Sequence, residues 1–523
     1  MHSYEVRLDL QAVSRIWGVD LRPQEILCYD PPTVTMNKLP LRVHLLAWSS
    51  AVLSGFVLAS GFPPSDHGIL AWVALVPLLH SLIYPGATST VRFGLGWVTG
   101  VTFTTLVLLR PDAVSENFRE LIQKDLGSAL SLWLSMSLQC SVAALPLAIF
   151  GLLAGVLLRL PCLLTSVLLT TCLWTGLEYA TGLVAPSLSW TTLVHAMGPD
   201  NPLAQNVDLL GIHGLSFFMV LCNIAVYAFF ARPRSPVRWI PLLIVLTATG
   251  VLFQRGGAIL YDDPDELATE EEGDAALAVT VLRFDPDDPD DGVRLTATSL
   301  RSSTGDHRPR LVVWPATAAT DAKVSQKALV DALKAASASR PLYLIHSGAS
   351  DAGTVPRLLT IATGDTGHNS QVVHRGDLVT LAGGLAPVQI GILEEGDLRT
   401  PSPAGALALT GATLLVATLN EEKSSNPALR TLNVVATAYR AIENRKWVVR
   451  SSAHGVSTCI NPHGEIESIL GSGVHGDLKQ AVHLYEGPTP FALGGFLFAP
   501  ICLLASVIAI VVIHLRNRPQ QPH

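Results

Sequence analysis

The sequence predicts an α-helical membrane domain of about eight spanning helices, with an α/β domain inserted before the last span. Three observations support this fold class. Of the 523 residues, 49% are hydrophobic and 15% are charged, and the mean hydropathy is +0.40, whereas soluble domains carry about a quarter charged residues. Apolar runs fill residues 43–254 and recur at 491–515. Between them, short apolar strands alternate with helical segments, which is typical of stacked α/β layers.

The apolar runs predict seven spans before the α/β domain and one after it. Their positions are 43–60, 69–84, 91–109, 128–157, 161–182, 208–231, 237–254 and 491–515. Three basic clusters lie beside these spans: Lys38 and Arg42, then Arg232, Arg234 and Arg238, then Arg516 and Arg518. Basic residues concentrate on the cytoplasmic side of membrane proteins. With the N-terminus inside, seven spans place the α/β domain outside and all three clusters on the cytoplasmic side.

The same features divide the chain into segments. Residues 1–40 are interpreted as an N-terminal extension, either disordered or upstream of a true start at Met36. The predicted segments after it are a membrane domain at 41–256, an acidic linker at 257–274, an α/β domain at 275–488, a last span at 489–515 and a cytoplasmic tail at 516–523.

Within the α/β domain, apolar runs predict seven strands and two helices. The strands are Leu277–Phe284, Leu311–Trp314, Leu342–His346, Val388–Leu393, Thr413–Thr418, Trp447–Ser451 and Val456–Asn461, and the helices are Gln326–Ala336 and Asn433–Ala441. The acidic run 285–292 lacks the spaced ligands and closing Glu of a calcium loop, so we interpret it as a solvated loop. The net charge is −7, and the cysteines have no metal-ligand spacing. The sequence therefore predicts no nucleic-acid partner, no metal and no cofactor.

The strand Leu311–Trp314 leads to a position where α/β proteins usually hold ligands. Pro315 ends the strand because it lacks a backbone donor, and the next residue is delivered to the end of the sheet. That residue is Ala316. An alanine offers no chemistry at this position.

Several motifs together resemble the apolipoprotein N-acyltransferase family, from about Leu45 to the C-terminus. The motifs are Ser60–Pro64 with Leu70–Leu79, Pro202–Gln205 with Leu210–Phe217, Tyr439–Arg445, His454–Ser457 and Pro462–Glu465. The family joins a membrane domain to a carbon–nitrogen hydrolase (nitrilase-like) domain. The resemblance implies an α-β-β-α sandwich on the periplasmic side of a bacterial inner membrane.

The resemblance also implies a reaction, in which an acyl chain passes from a membrane phospholipid to the N-terminal amine of a lipoprotein. A Cys nucleophile would carry it as a thioester, with a Glu as base and a Lys stabilising the oxyanion. The Glu should follow Trp-Pro, where this chain has Ala316, and the Cys should end the strand Val388–Leu393, where it has Leu393. The Lys should lie in the segment 371–387, which contains none and has His374 and Arg375 as its only basic side chains. All three catalytic positions are therefore empty.

Other residues remain as candidates. Trp314, Glu395 and Asn420 are candidate ligand-binding residues, and Glu395 matches a pocket glutamate of the family. Cys459 is interpreted as a buried strand thiol. His346 and Ser347 are adjacent on a strand, so their side chains point to opposite faces. Glu443 is expected to pair with a nearby cation and to hold the fold.

Three functions are compatible with these observations. The first is a non-catalytic homologue that binds phospholipid, lipoprotein N-termini or a paralogous acyltransferase. The second is an active N-acyltransferase that uses a displaced nucleophile, and the third is a structural partner in an envelope complex. The sequence favours the first, because the membrane motifs persist while the catalytic side chains are gone.

Overall fold

A computed structural model describes most of the chain. The described residues are 41–65, 67–108, 126–231, 236–261, 277–284, 289–301, 309–316, 342–350, 353–361, 368–381, 387–419, 421 and 426–516. The predicted extension at 1–40, the predicted helix Gln326–Ala336 and the candidate Asn420 lie outside these residues.

The first half of the chain is helical, as predicted. Its helices are α1 (Leu41–Gly61), α2 (Val76–Ser81), α3 (Ser89–Leu108), α4 (Leu126–Ala143), α5 (Leu145–Leu157), α6 (Leu163–Val184), α7 (Val207–Ala231) and α8 (Trp239–Tyr261). Among the described residues, seven helices are long and apolar enough to cross a membrane, the seventh being Gly495–Arg516 near the C-terminus. The chain is therefore a multi-pass membrane protein. α8 ends at Tyr261, whereas the membrane domain was predicted to end at residue 256. The helix therefore extends five residues into the segment interpreted as a linker.

The predicted second span, 69–84, is not one long helix. It is a 3-10 turn followed by α2, and the apolar helical stretch Gly68–Ser81 is about 21 Å long at 1.5 Å per residue, against about 30 Å of hydrocarbon. The chain nevertheless returns across the bundle here, because α1 and α3 run parallel. The Thr99 hydroxyl donates to the Ala51 carbonyl (3.0 Å), and further along both helices the rings of Phe62 and Phe103 lie 4.8 Å apart.

α3 and α5 approach each other closely through glycines spaced four residues apart. Gly96 and Gly100 face α5, and Gly151 and Gly155 face α3. A Cβ added to Gly100 would lie 2.7 Å from the Cβ of Ala144. Small residues let these two apolar helices pack closely. Close packing stabilises their association in lipid, where no hydrophobic effect drives helices together.

The described residues of the second half form twelve strands and five helices before the last span. The strands are β1 (Leu277–Arg283), β2 (Arg310–Val313), β3 (Leu342–Ser350), β4 (Gly353–Ile361), β5 (His368–Val372), β6 (Leu378–Leu381), β7 (Val388–Leu393), β8 (Leu414–Leu419), β9 (Trp447–Ser452), β10 (Ser457–Ile460), β11 (Ile466–Leu470) and β12 (Gly476–Val482). The helices are α9 (Pro289–Arg301), α10 (Glu395–Arg399), α11 (Pro401–Leu409), α12 (Pro427–Asn444) and α13 (Pro490–Leu493), followed by the membrane helix α14 (Phe498–Arg516).

These strands form two six-stranded sheets. Their orders are β12-β1-β2-β3-β4-β5 and β11-β10-β9-β8-β7-β6, and the centres, β1-β2-β3 and β7-β8-β9, are parallel. Apolar side chains of both sheets meet in one buried core, which includes Val281, Val313, Ile390 and Val449. α9 covers the outer face of the first sheet, and α11 and α12 cover that of the second. The predicted α-β-β-α sandwich is therefore confirmed.

The predicted solvated loop 285–292 is partly wrong. α9 begins at Pro289, and the Arg294 guanidinium lies 3.1 Å from the Asp291 carboxylate one turn earlier. Proline is favoured in the first turn of a helix, and acidic residues there interact well with the helix dipole. The acidic run therefore starts a helix instead of continuing as a loop.

Candidate functional site

The end of β2 places Trp314 in a packed core. Its side chain is 1% exposed, and its indole N–H donates to the Thr296 hydroxyl of α9 (3.1 Å). The ring meets Phe284 edge to face at 4.9 Å. Ala316 follows two residues later and is partly buried. The structure thus shows Trp314 packing the outer face of the first sheet, and its ligand-binding role stays a prediction.

At the end of β7, Leu393 is fully buried in an aliphatic cluster. Its neighbours in this cluster include Leu398, Leu407 and Leu415. Burying a leucine side chain contributes about 1.5–3 kcal/mol. The position where the family's nucleophile is expected is therefore occupied by a side chain that stabilises the fold.

The charged residues around α10 are paired with one another. Glu394 and Asp397 form a reciprocal cap at the start of the helix. Arg375 Nη2 lies 2.5 Å from the buried carboxylate of Asp397, and Arg399 Nη2 lies 2.6 Å from Glu395 Oε1. Arg375, the only arginine of the segment 371–387, thus neutralises a structural carboxylate. Glu395 is partly exposed at the domain junction, and its ligand-binding role also stays a prediction.

Among the alternative nucleophiles, Cys459 is not activated. Cys459 is completely buried, and burial raises the pKa of its thiol to about 12. It is therefore protonated at neutral pH, and the thiol is not the reactive form. His346 meets the Trp314 ring edge to face, with centroids 6.2 Å apart.

A buried polar network lies at the ends of β8 and β9. Arg450 Nη2 lies 2.5 Å from Glu421 Oε1, Asn433 Nδ2 donates to the same oxygen (3.1 Å) and the Ser452 hydroxyl donates to Oε2 (3.0 Å). Burial raises the pKa of Glu421, but Arg450 and the hydrogen bonds outweigh it, so the net pKa lies below the usual value. Glu421 is therefore a structural anion, a role that the sequence analysis missed.

The α/β domain docks on the membrane domain through α12. The Tyr439 hydroxyl donates to the carbonyls of Val194 (3.1 Å) and Met197 (2.9 Å). Glu443 accepts from the backbone N–H of Ile212 (2.8 Å), just after Gly211 kinks α7 with φ +72°. The Tyr439–Arg445 motif therefore binds directly to the membrane motif Leu210–Phe217.

Buried charges hold this junction. Arg440 Nη2 lies 3.0 Å from Glu443 Oε2, and both side chains are fully buried. The pairing predicted for Glu443 is thus confirmed. Beside it, Asp208 lies between two arginines, 3.1 Å from Arg445 Nη2 and 2.9 Å from Arg255 Nη2. The motif Tyr439–Arg445 therefore contributes three charged residues to this interface, and Asp208 lies between the two membrane motifs Pro202–Gln205 and Leu210–Phe217.

Two clefts flank the junction. The inner cleft has an empty volume of about 350 Å³, including the part open to solvent, and is lined by Ser187, Ser189, Trp190, His195, Arg399, Leu429, Leu432, Asn433 and Ala436. The lateral cleft, of about 430 Å³ on the same measure, is lined mainly by apolar side chains. Among them, Leu183 and Phe496 are 62% and 42% exposed on the surface of the helical bundle.

Comparison with known proteins shows similarity to apolipoprotein N-acyltransferases. Residues 54–225 match the family described as Apolipoprotein N-acyltransferase N-terminal domain. The chain is 25% identical over 529 residues to apolipoprotein N-acyltransferase of Geobacter metallireducens, covering 92% of this chain and 97% of that protein. It is 26% identical over 505 residues to that of Gloeobacter violaceus, covering 88% and 93%. The chain is thus similar to apolipoprotein N-acyltransferases over most of its length.

The chain is also similar to solved nitrilase-superfamily structures. An amidase from Nesterenkonia is 17% identical, with a TM-score of 0.30, over 42% of this chain and 92% of the amidase. Nit3 of Saccharomyces cerevisiae is 15% identical, with a TM-score of 0.31, over 40% of this chain and 90% of Nit3.

The structure separates the predicted site residues. Trp314 packs under α9, and Leu393 packs under α11. Glu395 is paired with Arg399, which lines the inner cleft. Ser189 and His195, which line that cleft, were missed by the sequence analysis. No local motif marks them, because they meet α12 only after the two domains dock.

Proposed function

We propose that this chain is a non-catalytic member of the apolipoprotein N-acyltransferase family that binds lipid or lipoprotein at the junction of its two domains. One observation carries the proposal: Leu393 occupies the nucleophile position and is fully buried among aliphatic side chains. An acyl thioester needs a sulfur at that position. The chain has a hydrocarbon there and Ala316 at the position of the base.

The lateral cleft supports a lipid-binding role. Its apolar lining continues into side chains exposed on the helical bundle, including Leu183, Leu210 and Phe496. His213, Thr400 and Ser402 provide polar groups at the same cleft. A cleft with an apolar body and a few polar groups fits an amphipathic ligand.

The distribution of basic residues supports the predicted orientation in a bacterial inner membrane. The C-terminal end of α3 contacts the α/β domain, since Asn426 Nδ2 donates to the carbonyl of Leu108 (2.8 Å). Arg42 in α1, Arg238 before α8 and Arg516 in α14 lie at the opposite ends of their helices. The positive-inside rule makes that face cytoplasmic and the α/β face periplasmic.

Intact-mass analysis tests the proposal. The purified full chain is incubated with phospholipid, measured, treated with hydroxylamine and measured again, with the Geobacter metallireducens relative as the matched comparison. We expect no hydroxylamine-labile adduct on this chain, with phospholipid still co-purifying. A labile gain of one acyl chain would refute the proposal and establish the alternative, an active acyltransferase with a displaced nucleophile, which peptide mapping would then locate.

A further inference from the structure

The inner cleft contains two buried polar atoms that have no hydrogen-bond partner among the described residues. These are the Ser189 hydroxyl and His195 Nε2, and their residues are 6% and 1% exposed. Both line the cleft. Buried polar groups are normally paired, because an unpaired one costs about 1–3 kcal/mol. Two such atoms facing one cleft point to a polar ligand.

The geometry fixes what His195 offers to that ligand. Its Nδ1 lies 3.3 Å from the carbonyl oxygen of Trp190, which can only accept, so Nδ1 carries the proton. Burial lowers the pKa of His195 to about 3, with the positive charge of Arg440 acting in the same direction. The ring is therefore neutral at pH 7, and Nε2 is an acceptor that requires an O–H or N–H group on the ligand.

The charge of the cleft selects the rest of the ligand. Arg399 lines it and uses Nη2 to bond Glu395, while a guanidinium has five N–H donors in total. Arg440, which pairs with Glu443, also contributes to the low pKa of His195. Burying an ammonium group costs more than burying a hydroxyl, so a hydroxyl is favoured as the donor to His195. The remaining N–H donors of Arg399 favour an anion beside that hydroxyl.

We propose that the inner cleft binds a phosphate group with a neighbouring hydroxyl, which is the chemistry of a glycerol phosphate. The hydroxyl donates to His195 Nε2, and the phosphate oxygens accept from Arg399 and from the Ser189 hydroxyl. Trp190 and Leu432 provide apolar walls beside this polar end. The inference rests on the proposed lipid-binding function and names the headgroup that it selects.

Binding to the full chain in detergent micelles tests this site. The probes are dihexanoyl-phosphatidylglycerol, dihexanoyl-phosphatidylcholine and free glycerol 3-phosphate. We expect the phosphatidylglycerol to bind more tightly than the phosphatidylcholine. Ser189→Ala and Arg399→Ala should each weaken its binding about tenfold, the effect of removing one hydrogen bond to a charged group. Arg294→Ala is the matched control, because it removes an exposed, carboxylate-paired arginine far from the cleft and should leave binding unchanged.

The outcomes separate this inference from the function on which it rests. If both lipids bind equally and neither variant matters, the headgroup site is refuted while lipid binding stands. If no lipid binds, the proposed function itself fails. Binding of free glycerol 3-phosphate that is lost in both variants supports the same site with a soluble ligand. Two variants are used so that misfolding of one, detected by size-exclusion chromatography, still leaves a decisive measurement.

Discussion

Replacing Glu443 should weaken the docking of the two domains. Its carboxylate pairs with Arg440 at 3.0 Å and accepts from the Ile212 N–H at 2.8 Å, with no exposed surface on either charged side chain. Glu443→Gln keeps an acceptor for Ile212 but leaves the Arg440 charge uncompensated. Breaking a buried pair in this way costs about 3–5 kcal/mol.

The assay is thermal unfolding of the purified chain in detergent, followed by tryptophan fluorescence. At about 2–4 °C per kcal/mol for a domain of this size, we expect Tm to fall by roughly 6–20 °C. Glu395→Gln is the matched control, since Glu395 is partly exposed and its pair with Arg399 is worth about 0.3–0.5 kcal/mol. The reasoning is refuted if Glu443→Gln unfolds within 1 °C of the unmodified protein.

A double substitution tests whether the loss of stability in Glu443→Gln comes from the uncompensated charge of Arg440. Arg440→Met with Glu443→Leu removes both charges, and replacing a buried pair with apolar residues is often neutral or stabilising. Ile212 then loses its acceptor, which costs about 1–3 kcal/mol. The double variant should therefore be more stable than Glu443→Gln alone, and a lower Tm for the double variant would contradict the buried-charge argument.

Two further predictions concern helix packing and pH. Gly256→Ala should destabilise the bundle, because the added Cβ would overlap the Pro202 carbonyl. Gly257→Ala should be neutral or stabilising, because its Cβ would meet nothing within 4 Å. Equal Tm values for the two variants would contradict this prediction. Burial lowers the pKa of Lys446 to about 8, so the folded protein loses this proton before the unfolded chain and stability rises with pH above 8. Lys446→Met should abolish that rise, measured as Tm from pH 7 to 10.

The sequence predicted the parts of the fold that depend on local apolar pattern. The parallel strands β1, β2, β7 and β8 are continuous apolar runs, as strands buried on both faces should be. β11 and β12 were missed because they are partly exposed, with burial that varies along each strand. α9 was not predicted, because the polar residues of its first turn resemble a loop. The residues that follow Pro289 nevertheless form an amphipathic helix.

The candidate site was less predictable for a different reason. The sequence alone shows alanine at residue 316 and leucine at residue 393, where the resemblance implies catalytic side chains. The inner cleft is not, because His195 and Arg399 are separated by about two hundred residues and meet only across the domain junction. Glu421 was not predicted either, because its role as a structural anion depends on Arg450, which reaches it from the neighbouring strand.

The location of the motifs explains how this fold would persist in a chain that, as we propose, lacks the acyl-transfer chemistry. Tyr439 and Glu443 bond the membrane domain directly, so losing either would leave buried polar groups unpaired at the junction. Leu393 needs no polar partner, because an aliphatic side chain is stable when it is buried in an aliphatic cluster. The presence of the family-like motifs at this junction is therefore explained by the contacts that they make between the two domains. They are evidence for the architecture and its clefts, and they are equally compatible with a chain that transfers no acyl group.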